Sequence, residues 1–351
     1  MHANDQHSSV GFQVLFRAFL NSKQPMQIGP YQLSNNVLLA PMAGITDNPF
    51  RRLCHQFGAG LTVSEMVISN SDLQNHPRTL KKTDYSDETG LRSVQILGTD
   101  PNQMAEAAKL NQDRGAHIID INMGCPAKKV CSVAAGSALM KDEHLVDKIL
   151  TAVVNAVEVP VTLKIRTGWN LANRNAAKIA TIAENCGIQA LTIHGRSRAC
   201  QFTGQAEYDT IKQVKSAVRM PIIANGDIDS TEKARAVLEY TGADAIMIGR
   251  GALGKPWIFR ELQSRLSHHQ SFPPLPLSEI KATINQHLDN LYRFYGATAG
   301  VRIARKHIGW YFEQLGDLPK EQKNLINQAQ DPAQQLELVN ASFDFITSRV
   351  A

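Results

Sequence analysis

Residues 118–130 read IIDINMGCPAKKV. A short apolar run leads into a tight Gly-Cys-Pro turn, and Lys128 and Lys129 follow close behind. A run of this length that ends on turn residues is the signature of a strand buried in a parallel sheet. Seven more runs share the form: VLLAPMAG (37–44), LTVSEMV (61–67), SVQILG (93–98), VTLKIRT (161–167), ALTIHGR (190–196), PIIANGD (221–227) and AIMIGRG (245–251). The segments between them read as helices. DPNQMAEAAKLNQDRG (100–115) and STEKARAVLEYTG (230–242) show the type, with apolar residues at helical spacing, an Asp or Ser cap in front and a Gly behind.

Eight strand–helix repeats predict a closed α/β barrel, the (β/α)8 or TIM barrel. An open doubly wound sheet is the alternative. It requires a glycine-rich fingerprint after its first strand, and PMAGITDNPF (41–50) is not one. We place the barrel domain at residues 26–262. FPPLPLS (272–278) reads as a proline-rich linker, and a small helical bundle is expected over 279–348. Residues 1–25 contain the apolar run VGFQVLFRAFL (10–20) but lack the basic start, longer apolar stretch and cleavage site of a secretory signal. They read as an N-terminal extension, with Met26 as an alternative start or the run as a helix docked on the body.

The chain of 351 residues carries a net charge of +5, a mildly basic balance that permits a polyanionic partner without demanding one. The five cysteines (Cys54, Cys125, Cys131, Cys186 and Cys200) are scattered and form no C-x-x-C pair. They predict neither a disulfide framework nor a metal site, and point to a reduced, cytoplasmic protein. No run approaches the length of about 18 apolar residues that a membrane span needs.

In barrels of this class the chemistry sits at the C-terminal ends of the strands. Glu65, Gln95, Asn122, Lys164, Arg166, His194, Arg196, Asn225, Asp227 and Arg250 all fall there. Any one of them has a bland reading as a satisfied loop residue; their convergence on one rim points to a site. The loops after strands seven and eight, ANGD (224–227) and IGRGALGKP (248–256), suit phosphate, with Gly226, Gly249 and Gly251 letting the backbone approach and Arg250 adding charge. Lys164 fits a Schiff-base amine, a fixed cation beside a reduced flavin, or a structural salt bridge. Gln95 suits a pyrimidine-like edge, and the PMAG turn (41–44) can lie against a flat ring. Flat ring, cation and phosphate together suggest FMN. Cys125 has no metal-ligand neighbours at the right spacing. A thiol with an ordinary pKa of about 8.5 is largely protonated at neutral pH and can donate a proton. Lysines against it would lower that pKa, so Lys128 and Lys129 are expected to face a ligand's phosphates or solvent instead.

These stretches, together with APMAGITD (40–47), VSEM (63–66), GSALM (136–140), GADAIMIGRGALGKPWIF (242–259) and RIARKHIGWY (302–311), resemble the tRNA-dihydrouridine synthases, and most of all their bacterial B-type branch. The resemblance runs from about Met26 to near the end of the chain. It implies an FMN-dependent oxidoreductase that reduces a uridine of tRNA to 5,6-dihydrouridine with NADPH, or NADH, as electron donor. Hydride reaches carbon 6 of the uracil from FMN, and Cys125 gives the proton to carbon 5. The resemblance further implies FMN contacts at Pro41, Met42, Ala43, Gln95, Lys164, His194, Asn225, Gly226, Asp227, Gly249 and Arg250. Asn122 and Arg196 match uracil-holding positions. Arg166 joins Lys128 and Lys129 as an expected substrate contact, and Arg302, Arg305 and Lys306 of RIARKH (302–307) suit tRNA phosphates or a solvated helix face. The B-type likeness points to the D-loop, at position 17, and a monomer is expected, with neither metal nor membrane involved.

Overall fold

The computed structural model describes residues 24–268 and 273–350. The expectations for residues 1–23 and for Phe272 of the linker lie outside them. A two-strand antiparallel hairpin, β1 (Gln27–Ile28) and β2 (Tyr31–Gln32), comes first. Then follow β3 (Val37–Leu39), β4 (Leu61–Val63), β5 (Val67–Ile68), β6 (Arg92–Leu97), β7 (Ile118–Met123), β8 (Val161–Arg166), β9 (Ala190–His194), β10 (Ile222–Asn225) and β11 (Ala245–Ile248). β3, β4 and β6–β11 are joined side by side in parallel, and the β4–β6 and β11–β3 pairings close the ring. The barrel read from the sequence is therefore the fold. The second predicted strand is broken: Ser64–Met66 leave the ladder, and β5 resumes against the end of β6.

The strands of the ring are buried on both faces over nearly all their length, with alternate residues serving different neighbours. Ile119, Ile121, Leu163, Ile165, Leu191, Ile193, Ile246 and Ile248 join the large core beneath the helices. Leu38, Leu61, Val63, Ile118, Ala190, Ile223, Ala245 and Met247 form a second cluster with Met26, Ile28 and Leu33 of the hairpin. The hairpin thus covers the apolar N-terminal end of the barrel. Further along the same strands the alternate positions turn polar. Gln95 stands beside Asp120, Asn122 beside Lys164, and Arg166 beside His194, which in turn stands beside Asn225.

Four helices end the chain: Leu277–Tyr295, Ala297–Leu315, Lys320–Gln328 and Pro332–Val350. The first two cross closely, because a Cβ on Gly300 would lie 2.8 Å from the Tyr292 Cα. Their apolar residues, among them Ile284, Leu288, Ala304 and Phe312, belong to the same core as the barrel helices. The seam centres on Phe50, whose ring lies 5.7 Å from His287 and 5.6 Å from His307. Trp257 stacks on Tyr311 at 6.4 Å, and the Tyr295 hydroxyl donates to Asp47 at 3.0 Å. No described helix is long and apolar enough to cross a membrane.

Candidate active site

The strand ends open into a cavity of about 1230 Å³, above the range of roughly 300–1,000 Å³ typical for one small ligand. It has room for two flat groups. Its lining includes all eleven residues expected to meet the cofactor, from Pro41 to Arg250, and Asn122, Cys125, Lys128 and Arg166 as well.

Gly226 in the wall is sterically required. A Cβ on Gly226 (φ +128°) would lie 2.8 Å from the Ala206 Cβ and 3.1 Å from the His194 ring. Asp227 follows at φ +46°, so the chain turns sharply and presents backbone to the cavity. The Asp227 carboxylate is held by four donors: it accepts from Arg196 Nη1 (2.8 Å) and Nη2 (2.6 Å), from Arg250 Nη2 (3.0 Å) and from the Ala206 N–H (2.8 Å).

Lys164 is buried at the strand ends, with its ammonium donating to Asn225 Oδ1 at 3.0 Å. Burial brings its pKa down to about 8; Arg166 adds repulsion, and Asp120 and Cys125 pull it back up. The lysine is therefore a cation at neutral pH that is poorly compensated. His194 is held to about 2, first by burial and then by Lys164, Arg166, Arg196 and Arg250, so it is neutral. Its Nε2 lies 3.3 Å from Arg196 Nη1. A guanidinium can only donate, which leaves the imidazole proton on Nδ1.

Asn122 Oδ1 accepts from the N–H of Gly124 (3.1 Å) and of Cys125 (2.9 Å), folding the turn back on its strand. The Cys125 carbonyl accepts from the N–H and hydroxyl of Ser137 at 3.1 and 2.9 Å. Burial raises the thiol pKa, and the opposing influences of the Ala127 N–H, Arg166 and Lys164 are smaller. The charges that face Cys125 come from β8. Lys128 and Lys129 are exposed on the short helix Lys128–Cys131, and Lys129 does not line the cavity.

Three expected contacts stand elsewhere. Arg196 is outside the cavity lining; besides Asp227 it donates to the carbonyls of Thr203 (3.2 Å) and Gly204 (2.6 Å), so its guanidinium braces a loop. Arg305 donates to the Ala329 carbonyl at 3.3 Å. Lys306 lies in the seam, bonded to the Gly44 carbonyl, while the Gly44 N–H donates to Glu65. Arg302 is exposed. Arg166 lines the cavity but is nearly fully buried, donating to the carbonyls of Gly124 (2.8 Å), Ser197 (2.9 Å) and Gln201 (2.7 Å). From the end of β8 it ties the loops after β7 and β9 together beside the thiol.

Sequence reading did not single out Met66, Phe202 or Gln314, which also line the cavity. Phe202 is 52% exposed, and the guanidinium groups of Arg166 and Arg250 each lie 5.2 Å from its ring centre. It belongs to an irregular loop, where no periodic pattern marks it. Among the described residues no group of three or more His, Cys, Asp or Glu could hold a metal ion.

A closed parallel barrel with a thiol and buried cations at its strand ends defines a barrel enzyme. The chain belongs to the dihydrouridine synthase family: the family model, Dihydrouridine synthase (Dus), matches residues 38–347. It is 56% identical over 320 residues to the tRNA-dihydrouridine synthase B of Salmonella typhimurium LT2 and to that of Escherichia coli K12, covering 91% of this chain and 99% of each relative. Two solved structures share the fold at low identity. An old yellow enzyme homologue from Zymomonas mobilis matches with a TM-score of 0.51 at 14% identity, over 73% of this chain and 94% of that one. The 6-hydroxypseudooxynicotine amine oxidase HisD from Pseudomonas geniculata N1 matches with a TM-score of 0.55 at 12% identity, over 70% and 49%.

Proposed function

We propose that the protein reduces a uridine of tRNA to 5,6-dihydrouridine, with FMN as resident cofactor, NADPH as electron donor and Cys125 as proton donor to carbon 5. The observation that carries this reading is a half-buried thiol in the wall of a cavity large enough for cofactor and base, where burial raises its pKa against the pull of Lys164 and Arg166. A thiolate there would be an attacking group; a thiol is an acid. The relatives' name supplies the tRNA and the dihydrouridine product.

The residues fit FMN. Lys164 is a cation without a carboxylate bonded to it, suited to an electron-rich ring. The glycine turns at Gly226 and Gly249 and the exposed Arg250 suit a phosphate. Pro41, Met42 and Ala43 would flank the ring, with Gln95 at its edge. Bound FMN supplies the hydride that goes to carbon 6 of the uracil. Asn122 and Arg166 hold the Cys125 turn, and Cys125 Sγ releases its proton to carbon 5. Lys164 and Arg166 then face the resulting thiolate. To enter the cavity the uridine must leave its stack. The exposed Phe202 offers a face on which a base can rest.

The anionic ring of reduced FMN requires the charge of Lys164, and a lysine brought down to about 8 loses that charge as pH rises past 8. Affinity of the flavin-stripped protein for reduced FMN is therefore expected to fall between pH 7 and 9.5, by up to about tenfold per pH unit once Lys164 is neutral. Anaerobic ultrafiltration with dithionite-reduced FMN measures this. Lys164→Met should bind reduced FMN weakly and with a flat pH profile.

The barrel is read as the catalytic domain, residues 26–262, and the helices over 279–348 as the tRNA-binding domain of a cytoplasmic monomer. Arg302→Ala should lower the salt dependence of tRNA binding by about one unit of log–log slope and leave thermal stability unchanged. Lys306→Met should do the reverse. It leaves the Gly44 carbonyl without its donor and removes the charge facing Asp47 and Glu65, at a cost of about 1–3 kcal/mol. Filter binding across a salt series and thermal unfolding separate the two. To test the assignment as a whole, the flavin is released by heat and identified, and the positions reduced in a treated tRNA are mapped. FMN and a single D-loop position, 17, are expected; a different flavin or a reduced site outside the D-loop overturns the cofactor or the position.

A further inference from the structure

Asp120 lies inside the barrel, two residues before Asn122 on β7, and the reaction as described gives it no task. Its Oδ2 accepts from Gln95 Nε2 at 2.7 Å, and its Oδ1 accepts from the Thr162 hydroxyl at 2.6 Å. Gln95 Oε1 accepts from Asn122 Nδ2 at 2.7 Å. Asn122 Oδ1 in turn accepts from the Gly124 and Cys125 N–H groups.

The direction of this chain follows from its fixed end. Backbone N–H groups can only donate, so Asn122 must turn its oxygen to the Cys125 turn and its NH2 to Gln95. Gln95 must then turn its oxygen to Asn122 and its NH2 to residue 120. Residue 120 must accept. All three side chains are buried, so a reversed amide would leave a donor facing a donor away from water.

We propose that Asp120 is a positioning residue that fixes the polarity of the Gln95 and Asn122 amides and thereby holds the Cys125 turn in its reactive shape. The same polarity leaves Asn122 with a second N–H, near Met66 Sδ at 3.8 Å on the cavity wall, suited to a carbonyl of the base. This deepens the proposed reaction and rests on Cys125 acting in it.

The rival role for Asp120 is that of counter-charge to Lys164, and the two make opposite predictions for one variant. Asp120→Asn loses the charge but keeps an acceptor for Gln95, with its NH2 able to face the Thr162 hydroxyl. Asp120→Leu loses both. Gln95→Met cuts the chain one link later and leaves Asp120 charged. The first readout needs no cofactor: the rate at which iodoacetamide alkylates Cys125 in flavin-stripped protein, followed by peptide mass spectrometry. The second is single-turnover tRNA reduction by the FMN-loaded enzyme.

Asp120→Asn is expected within about threefold of wild type in both. Asp120→Leu and Gln95→Met should alkylate about tenfold faster and reduce tRNA about tenfold more slowly, with tRNA affinity unchanged. If Asp120→Asn is as defective as Asp120→Leu, the carboxylate acts through charge and the proposal fails. It fails equally if Gln95→Met alkylates like wild type, a result that does not depend on whether Asp120→Leu folds. Failure of the reaction itself shows separately, as wild-type enzyme that reduces no tRNA while the alkylation series stands.

Discussion

Cys125→Ala is expected to slow single-turnover reduction of tRNA by about 10²–10⁴-fold, the range for loss of a positioned general acid, while FMN and tRNA affinities stay near wild type. The thiol meets the Ala127 N–H, but the hydrogen bonds that hold the turn run through the residue's backbone, to Asn122 and Ser137. Its removal leaves the turn in place. The pH profile carries the more specific prediction. Burial holds the thiol above its ordinary range, so the acid form is present throughout the neutral range and is lost only at higher pH than for a free thiol. The turnover step should therefore be flat from pH 6 to 8 and fall at higher pH. A profile that rises over that interval would mean the thiolate is the working form. Cys125→Ser should remain slow at every pH, because a hydroxyl is a far weaker acid than a thiol. Stopped-flow absorbance under anaerobic conditions gives both rates.

The second large effect concerns stability. His287 and His307 meet edge to face at 4.8 Å in the seam between barrel and helices. Tyr311 lies 2.9 Å from His287 Nδ1, and the Nε2 of each ring has no hydrogen-bond partner. Burial, with repulsion from Lys306, lowers His287 to about 3, and His307 is likewise held well below its ordinary value by burial, His287 and Lys306. In the unfolded chain both titrate near 6.5. Their folded values are depressed, so the stability they contribute is present above pH 6.5 and drains away as pH falls towards 3. Each costs about 1.4 kcal/mol per pH unit in that window. Acting together, the pair draws on a large share of a typical total stability of about 5–15 kcal/mol as the pH falls.

Asp47 works the other way. Burial raises it to about 6, so it binds a proton in the folded state first and offsets part of this loss between pH 6 and 4. The histidine contribution is isolated by difference. His287→Gln and His307→Gln should each flatten the fall in unfolding free energy by about 1.4 kcal/mol per pH unit relative to wild type. Denaturant titrations at pH 7, 5.5 and 4.5 measure it; parallel curves for wild type and variants would show that the rings are already charged in the folded protein.

The barrel was legible because each strand announces itself locally, as IIDINMG and VTLKIRT do. The break at Ser64–Met66 was not, since nothing in LTVSEMV separates a continuous strand from one that leaves the ladder and returns. The cavity lining was readable for the same local reason: polar residues at strand ends are carried to one rim by the barrel itself. What the sequence could not show is the partner of each charge. Arg196 and Lys306 have the residue type of anion ligands, yet one is committed to Asp227 and two loop carbonyls, and the other to Gly44 in the domain seam. Lys128 and Lys129 are neighbours of Cys125 in sequence, whereas the cations that bear on its thiol are Lys164 and Arg166, some forty residues away. Asp120 was hidden for the opposite reason. It sits in an apolar run among isoleucines, and only the ladder places it beside Gln95 and Thr162.

The central claim is that electrons reach a tRNA uridine through this cavity while Cys125 supplies the proton. The direct measurement is an anaerobic half-reaction. FMN-loaded protein is bleached with one equivalent of NADPH and mixed with tRNA that lacks dihydrouridine. The yellow colour should return, with one dihydrouridine formed per flavin. The Cys125→Ala protein should bleach normally and regain its colour at least a hundredfold more slowly. Bleaching by NADPH without recovery on tRNA in the wild-type protein, or recovery with no dihydrouridine in the RNA, would contradict the account.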